Sequence, residues 1–114
     1  MKKNLSPNES MAVGLLISIL TDHTEANPIK AKQLLVELND QIHIPNFVTD
    51  SKLRVYCNYL RSNAILPVIS GSQGYFVTKD PDIILKQIKS LINRADAIDN
   101  CAEGLKIFYK KFSS

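Results

Sequence analysis

The sequence predicts a mainly helical protein with one small β-hairpin, an α+β fold, over 114 residues. Four segments carry apolar residues at helical spacing behind capping or proline signals. The stretch ILPVISGSQGYFVT, from Ile65 to Thr78, alternates β-branched or aromatic residues around a Gly-Ser-Gln-Gly tip. A chain of this length buries one modest core, so we expect one domain over residues 1–79 and an appended helix over residues 80–114.

The composition is that of an ordinary water-soluble protein, with a net charge of +3. The longest apolar run, Met11 to Leu20, is too short to span a bilayer, and no cleavage signal follows it. Cys57 and Cys101 lie on apolar faces of predicted helices without the spacing of a metal site, which is typical of small core residues. We therefore predict a cytoplasmic protein with no membrane attachment, metal or cofactor.

The first helix is predicted to begin at Ser6 and to end near Asp22. Ser6 supplies a capping hydroxyl, and Pro7 suits the first helical position. Glu9, three residues after the cap, completes a capping box.

The second helix is predicted to begin at Asn27-Pro28 and to end at Asn39, with a turn at Pro45-Asn46 before the next helix. Its predicted buried stripe consists of Ile29, Leu34, Leu35 and Leu38.

The third helix is predicted to begin at Thr49 or Asp50 and to end near Asn63. At 3.6 residues per turn its inward side carries Leu53, Tyr56, Cys57, Leu60 and Ala64. Its outward side carries Ser51, Arg54, Val55, Asn58 and Ser62, flanked by Tyr59 and Arg61. Arginine can pair with guanine and asparagine with adenine, so this side suits base edges in a DNA groove. The alternative is an ordinary polar surface helix.

Charge distribution favours the DNA interpretation. From Ser51 to Lys79 the chain contains no Asp or Glu. The cations of this segment are Lys52, Arg54, Arg61 and Lys79, and its neutral donors include Ser70, Ser72 and Gln73. A segment of one sign attracts a phosphate backbone, and neutral donors bind phosphate oxygens.

Three helices followed by a hairpin is the order of a winged helix-turn-helix domain, with the third helix in the major groove and the hairpin as the wing. Val68 or Ile69 and Phe76 or Val77 are expected to close the core, and Gly71 and Gly74 to permit positive φ. The wing tip could equally be a plain connecting turn. The predicted DNA-binding residues are Ser51, Lys52, Arg54, Asn58, Arg61, Ser62, Ser72, Gln73 and Lys79.

The second half of the chain contains Asn-Tyr-Leu-Arg at residues 58–61, Val-Ile-Ser at 68–70 and Gly-Tyr-Phe-Val at 74–77, before a long helix that begins with acids. In these pieces it resembles a group of small winged helix-turn-helix proteins from bacteriophages, prophages and other mobile elements. The resemblance implies a winged helix and DNA binding. This chain departs from the pattern in having fewer arginines in the third helix and a longer connection, residues 40–48, before it.

The last helix is predicted to run from Asp80-Pro81-Asp82 to about Phe112 with a heptad seam. The seam residues are Ile84, Ile88, Leu91, Ala95, Ile98, Ala102, Leu105, Tyr109 and Phe112. Such a helix is longer than a small domain needs, so we predict that it forms a homodimer. The alternative is that it folds back over its own domain.

Catalysis is not predicted. His23 and His43 lack metal-binding or catalytic spacing, and no phosphate loop or paired carboxylates can be identified, so no small-molecule substrate is expected. Two functions remain. The first is a DNA-binding regulator, or an accessory replication or recombination factor, of a mobile element. The second is a protein-interaction module on a winged scaffold without DNA binding, which gives no reason for the acid-free segment.

Overall fold

The computed structural model describes residues 4–113, which divide after Lys79 into two compact units. The protein is mainly helical, with a two-stranded antiparallel hairpin and a long C-terminal helix, as predicted. The elements are α1 Pro7–Thr21, α2 Ala31–Ile42, α3 Asp50–Ser62, β1 Val68–Gly71, β2 Gly74–Val77 and α4 Pro81–Phe112. No helix within residues 4–113 is long and apolar enough to cross a membrane.

The start of α1 is held by the predicted capping box. The Ser6 hydroxyl accepts a hydrogen bond from the Glu9 amide at 3.1 Å, and the Glu9 carboxylate accepts one from the Ser6 amide at 3.1 Å. The helix ends at Thr21, with Asp22 as its C-cap. Its buried residues are Ala12, Val13, Leu16, Ile19 and Leu20, which form one side of the core of the first unit.

The predicted start of α2 at Asn27-Pro28 is wrong, because the helix begins at Ala31. Ile29 is extended instead and pairs with Tyr75 of β2. The Ile29 amide donates to the Tyr75 carbonyl at 2.9 Å, and the Tyr75 amide donates to the Ile29 carbonyl at 2.7 Å. These two bonds hold the backbone of Ile29 out of the helix, although its side chain is buried as predicted.

The predicted end of α2 at Asn39 is also wrong, because the helix continues to Ile42. Leu34, Leu38 and Ile42 recur every fourth residue and are all buried. His43 then takes a left-handed conformation, with φ of 62°, and ends the helix. The predicted turn at residues 45–46 is present in the connection to α3.

The side chain of Asn39 holds this connection in place. Its amide nitrogen donates to the Val48 carbonyl at 3.0 Å, and its amide oxygen accepts from the Val48 amide at 2.8 Å. Val48 is thereby fixed in the core immediately before the Thr49 N-cap of α3.

The inward side of α3 is confirmed for Leu53, Tyr56, Cys57 and Leu60, which are buried. Ala64 was predicted to join them and does not. It lies beyond the end of α3, is exposed, and has a φ of 52°. The Ala64 amide donates to the Arg61 carbonyl at 3.1 Å and the Ile65 amide to the Leu60 carbonyl at 2.9 Å, which is a Schellman termination.

In the hairpin, Val68 pairs with Val77 and Ile69 with Phe76. Because paired residues share a face, Val68 and Val77 pack on the helical core, whereas Ile69 and Phe76 are buried on the other face of the hairpin. The prediction of positive φ at both tip glycines is correct only for Gly74, with φ of 123°.

The second unit is α4, a helix of 32 residues that is capped by the Asp80 carboxylate at the Asp82 amide. None of its residues is buried, so the prediction of a core position is confirmed for Cys57 of α3 but is wrong for Cys101, which is exposed. At 1.5 Å per residue it is about 48 Å long.

Candidate nucleic-acid interface

The outward face of α3 is exposed as the helical wheel predicts. Ser51, Arg54, Asn58 and Ser62 are exposed, and Val55 keeps 40% of its surface accessible. These residues occupy the side of the helix opposite Leu53 and Leu60, which are at most 1% exposed. Packing of the apolar side into the core therefore presents the polar side to solvent.

Arg54 is the cation that this face presents most freely. Within residues 4–113 its guanidinium forms no hydrogen bond or ion pair. It still acts electrostatically on the hairpin. Burial raises the pKa of the Tyr75 phenol, while the positive charges of Arg61 and Arg54 partly offset that rise. The positive charge of Arg54 on α3 thus acts on the pKa of Tyr75 on β2.

Arg61 was predicted to contact phosphate, but the structure commits its guanidinium to the protein. Its Nε donates to the Val68 carbonyl at 2.8 Å, and one terminal nitrogen donates to the Ser70 hydroxyl at 3.1 Å. A second terminal nitrogen lies 3.4 Å from the Asn58 amide oxygen. These bonds attach β1 to α3, so Arg61 is a positioning residue that fixes the hairpin against the helix.

Lys52 is also engaged by its own unit. Its ammonium donates to the Phe47 carbonyl at 3.0 Å and lies 4.4 Å from the centre of the Phe47 ring. The Ser62 hydroxyl donates to the Asn58 carbonyl within α3. Among the predicted α3 contacts, Lys52 and Ser62 therefore have to exchange internal partners before they can bind a ligand.

The hairpin tip, residues 71–74, presents Ser72 and Gln73 as exposed side chains. The Lys30 ammonium reaches the tip and donates to the Ser72 carbonyl at 3.0 Å. Lys30 was not among the predicted DNA contacts. Its position follows from the pairing of the preceding Ile29 with Tyr75, which no local signal in the sequence indicates.

The same pairing explains the need for glycine at position 74. A Cβ on Gly74 would lie 2.4 Å from the carbonyl oxygen of Ile29, far inside van der Waals contact. The hairpin is further tied to the first unit by the Val77 amide, which donates to the His23 carbonyl at 3.1 Å. The hairpin is therefore held at its tip by Ile29 and Lys30 and at its base by His23.

Lys79 is exposed at the end of the acid-free segment. The segment lies between Asp50, in the first turn of α3, and Asp80, the N-cap of α4. In the described part of the chain, no group of three or more His, Cys, Asp or Glu residues could hold a metal ion. The chemistry that the surface offers is that of hydrogen-bond donors and cations.

Comparison with known proteins finds no match, whether with protein-family models, with curated proteins or with solved structures. The function is therefore inferred from the geometry described above.

Proposed function

We propose that the first unit is a winged helix-turn-helix domain that binds double-stranded DNA, with α3 in the major groove and the hairpin as a wing on the phosphate backbone. The observation that carries the proposal is that Arg61 attaches the exposed polar helix α3 to strand β1, which leads into the exposed hairpin tip, in a segment without acidic residues. A helix and a tip held in fixed geometry can contact a groove and its adjoining backbone together.

The order of elements supports the winged assignment. The Ile29 pair adds a third, very short strand beside β2, so that the chain runs helix, short strand, helix, helix and hairpin. In this order α2 and α3 are the helix-turn-helix pair. Their connection has seven residues, 43–49, and Asn39 braces it through Val48.

The face of α3 supports base contact. The major groove of B-form DNA is about 12 Å wide and admits one α-helix. The fork of Arg54 matches the acceptors of guanine, and the Asn58 amide matches adenine. Val55, exposed between them, offers an apolar contact for a thymine methyl group.

The hairpin tip supports backbone contact. Lys30 supplies positive charge, and Ser72 and Gln73 supply neutral donors, on a tip that glycine keeps free of bulk. Exposed Lys79 follows β2 at the opposite end of the hairpin. Contacts of this kind set the position of a protein on the duplex without reading its sequence. Following the resemblance to proteins of mobile elements, we propose that the chain acts as a transcriptional regulator or as an accessory replication or recombination factor.

The proposal is tested by fluorescence anisotropy with a duplex of random sequence across a salt series. We expect the logarithm of the affinity to fall linearly with the logarithm of salt concentration, at about 0.9 per phosphate contact. Arg54→Ala is expected to raise Kd about tenfold, and Lys30→Ala to reduce the salt slope by about 1.

Lys89→Ala provides the matched control, because it removes one exposed cation from α4 and leaves the first unit intact. We expect its Kd to stay within about twofold of the parent value. Absence of binding at low salt, or equal losses in the control and in Arg54→Ala, would contradict the proposal and favour the protein-interaction alternative.

A further inference from the structure

The exposed apolar side chains of the protein are concentrated on α4. Of fourteen large hydrophobic residues that are exposed within residues 4–113, nine lie on this helix. They include Ile98 at 61%, Leu105 at 67% and Tyr109 at 74% exposure. From Ile92 to Phe112 every residue except Gly104 is exposed. A water-soluble helix draws most of its stability from packing an apolar face, so this face requires a partner.

We propose that the partner is a second copy of the same helix, paired with it in parallel and in register as a two-stranded coiled coil. The seam residues repeat at heptad positions a and d, with Ile88, Ala95, Ala102 and Tyr109 at a, and Ile84, Leu91, Ile98, Leu105 and Phe112 at d. The alanines at a allow the two backbones to approach closely. This inference goes beyond DNA binding and does not depend on it.

Charge complementarity selects the parallel orientation. In a parallel pair each g position faces the e position five residues later on the partner helix. Arg94 occupies g and Asp99 occupies the following e, so the pairing forms two symmetric salt bridges between the copies. Within residues 4–113 of one copy, neither side chain forms a hydrogen bond or ion pair, so both are free to make these contacts.

The antiparallel alternative lacks such pairs. With full overlap, g faces g and e faces e, which places Arg94 beside Cys101 and Asp99 beside Ile92 of the other copy. It also places Leu85 beside Lys106. No opposite charges meet in that arrangement. Ile107, at the outer position f, is covered in neither orientation.

The first test is the mass of the full chain in solution, measured by light scattering after size exclusion at about 50 µM. Each chain has a mass of 12.8 kDa, and we expect a dimer. Ile98→Asp places a charge in the seam and is expected to give a monomer. Asn100→Asp adds the same charge at outer position f and is expected to remain dimeric. A monomer or a trimer for the parent chain would overturn the proposal.

The second test addresses the salt bridges and does not depend on a variant that disrupts the helix. Arg94→Asp and Asp99→Arg each replace two attractive pairs by two repulsive ones, and each is expected to raise the dimer Kd about tenfold. The double variant restores opposite charges and is expected to return within about threefold of the parent. Failure of the double variant to recover affinity would overturn the parallel register.

The third test reads orientation directly. In a Cys101→Ser background, Phe112→Cys places a thiol at the last d position of the seam, at the end of α4. Parallel helices bring these thiols together and yield a covalent dimer on mild oxidation. Antiparallel helices hold them about 48 Å apart. Cys101→Ser alone serves as control, since its remaining Cys57 is buried. A Phe112→Cys protein that does not cross-link would overturn the parallel orientation.

Discussion

Gly74 lies so close to Ile29 that a Cβ added to it would stand 2.4 Å from the Ile29 carbonyl oxygen. This contact brings the segment before α2 against β2, where the Tyr75 amide donates to the same carbonyl. Because Lys30 follows Ile29, the contact also sets the position of the Lys30 ammonium at the hairpin tip. The close contact of Gly74 with Ile29 thus holds the segment before α2 against β2 and also places the positive charge of Lys30 at the tip of the proposed wing.

Gly74→Ala is expected to destabilise the protein by about 2–4 kcal/mol, since the new Cβ meets backbone and the φ of 123° strains any L side chain. Urea denaturation measures the change. Gly71→Ala is the matched control at the opposite end of the tip, because a Cβ there meets nothing within 4 Å. We expect that variant to stay within about 0.5 kcal/mol of the parent. Equal losses at the two glycines would contradict the role of the Ile29 contact.

Substitutions of Arg61 and of Arg54 are expected to have different effects. Loss of Arg61 is expected to lower stability, whereas loss of Arg54 is expected to weaken DNA binding. Arg61→Ala leaves the Val68 carbonyl and the Ser70 hydroxyl without this donor and is expected to lower the unfolding free energy by about 1–3 kcal/mol. Arg61→Lys keeps the positive charge but replaces the planar guanidinium, which reaches two acceptors, by a single ammonium group. It should therefore recover only part of the lost unfolding free energy.

Arg54→Ala breaks no hydrogen bond or ion pair within residues 4–113 and is expected to change stability by at most about 0.5 kcal/mol while weakening DNA binding. Thermal denaturation and anisotropy on the same samples make the comparison. A stability loss in Arg54→Ala equal to that in Arg61→Ala would refute the separation of roles.

Local signals were enough to predict α1, α3, the hairpin and α4. The Ser6 capping box, the spacing of Leu53 and Leu60, and the glycine tip are each decided by residues close along the chain. The start of α2 could not be predicted in this way. It depends on the pairing of Ile29 with Tyr75, forty-six positions apart in the sequence.

The residues of the candidate interface likewise include some that local patterns predict and others that only tertiary structure places. The exposed face of α3 follows from helical periodicity, so the exposure of Arg54 and Asn58 could be predicted from the sequence. The partners of a long cation do not follow from periodicity. The sequence therefore predicted a DNA contact for Arg61 as for Arg54, although Arg61 binds β1. It did not predict a contact for Lys30, which tertiary structure brings to the tip.

Ala64→Gly is expected to stabilise the first unit by about 0.5–1 kcal/mol. Ala64 occupies the left-handed position of the Schellman termination of α3, with φ of 52°, where a Cβ is unfavourable and glycine is preferred. Ala64→Val is the opposite control. It is expected to lower stability, because a β-branched side chain is unfavourable at positive φ. Chemical denaturation measures both, and a loss of stability in Ala64→Gly would contradict this account of how α3 ends.

Cys57 is expected to make the stability of the first unit fall in alkaline solution. Burial raises the pKa of its thiol from 9.0 to about 11, against a smaller opposing effect of Arg61. Below pH 9 the thiol is protonated in both states. Between pH 9 and about 11 the unfolded chain releases this proton and the folded chain retains it, so the unfolding free energy falls as pH rises.

At about 1.4 kcal/mol per pH unit, the loss over this window amounts to about 2–3 kcal/mol. Cys57→Ala removes the titrating group, so its unfolding free energy should fall less steeply between pH 9 and 11 than that of the parent. Identical slopes would show that the Cys57 thiol ionises as readily in the folded chain as in the unfolded one. An independent measurement is thiol labelling at pH 8, where exposed Cys101 should react at once and buried Cys57 only on unfolding.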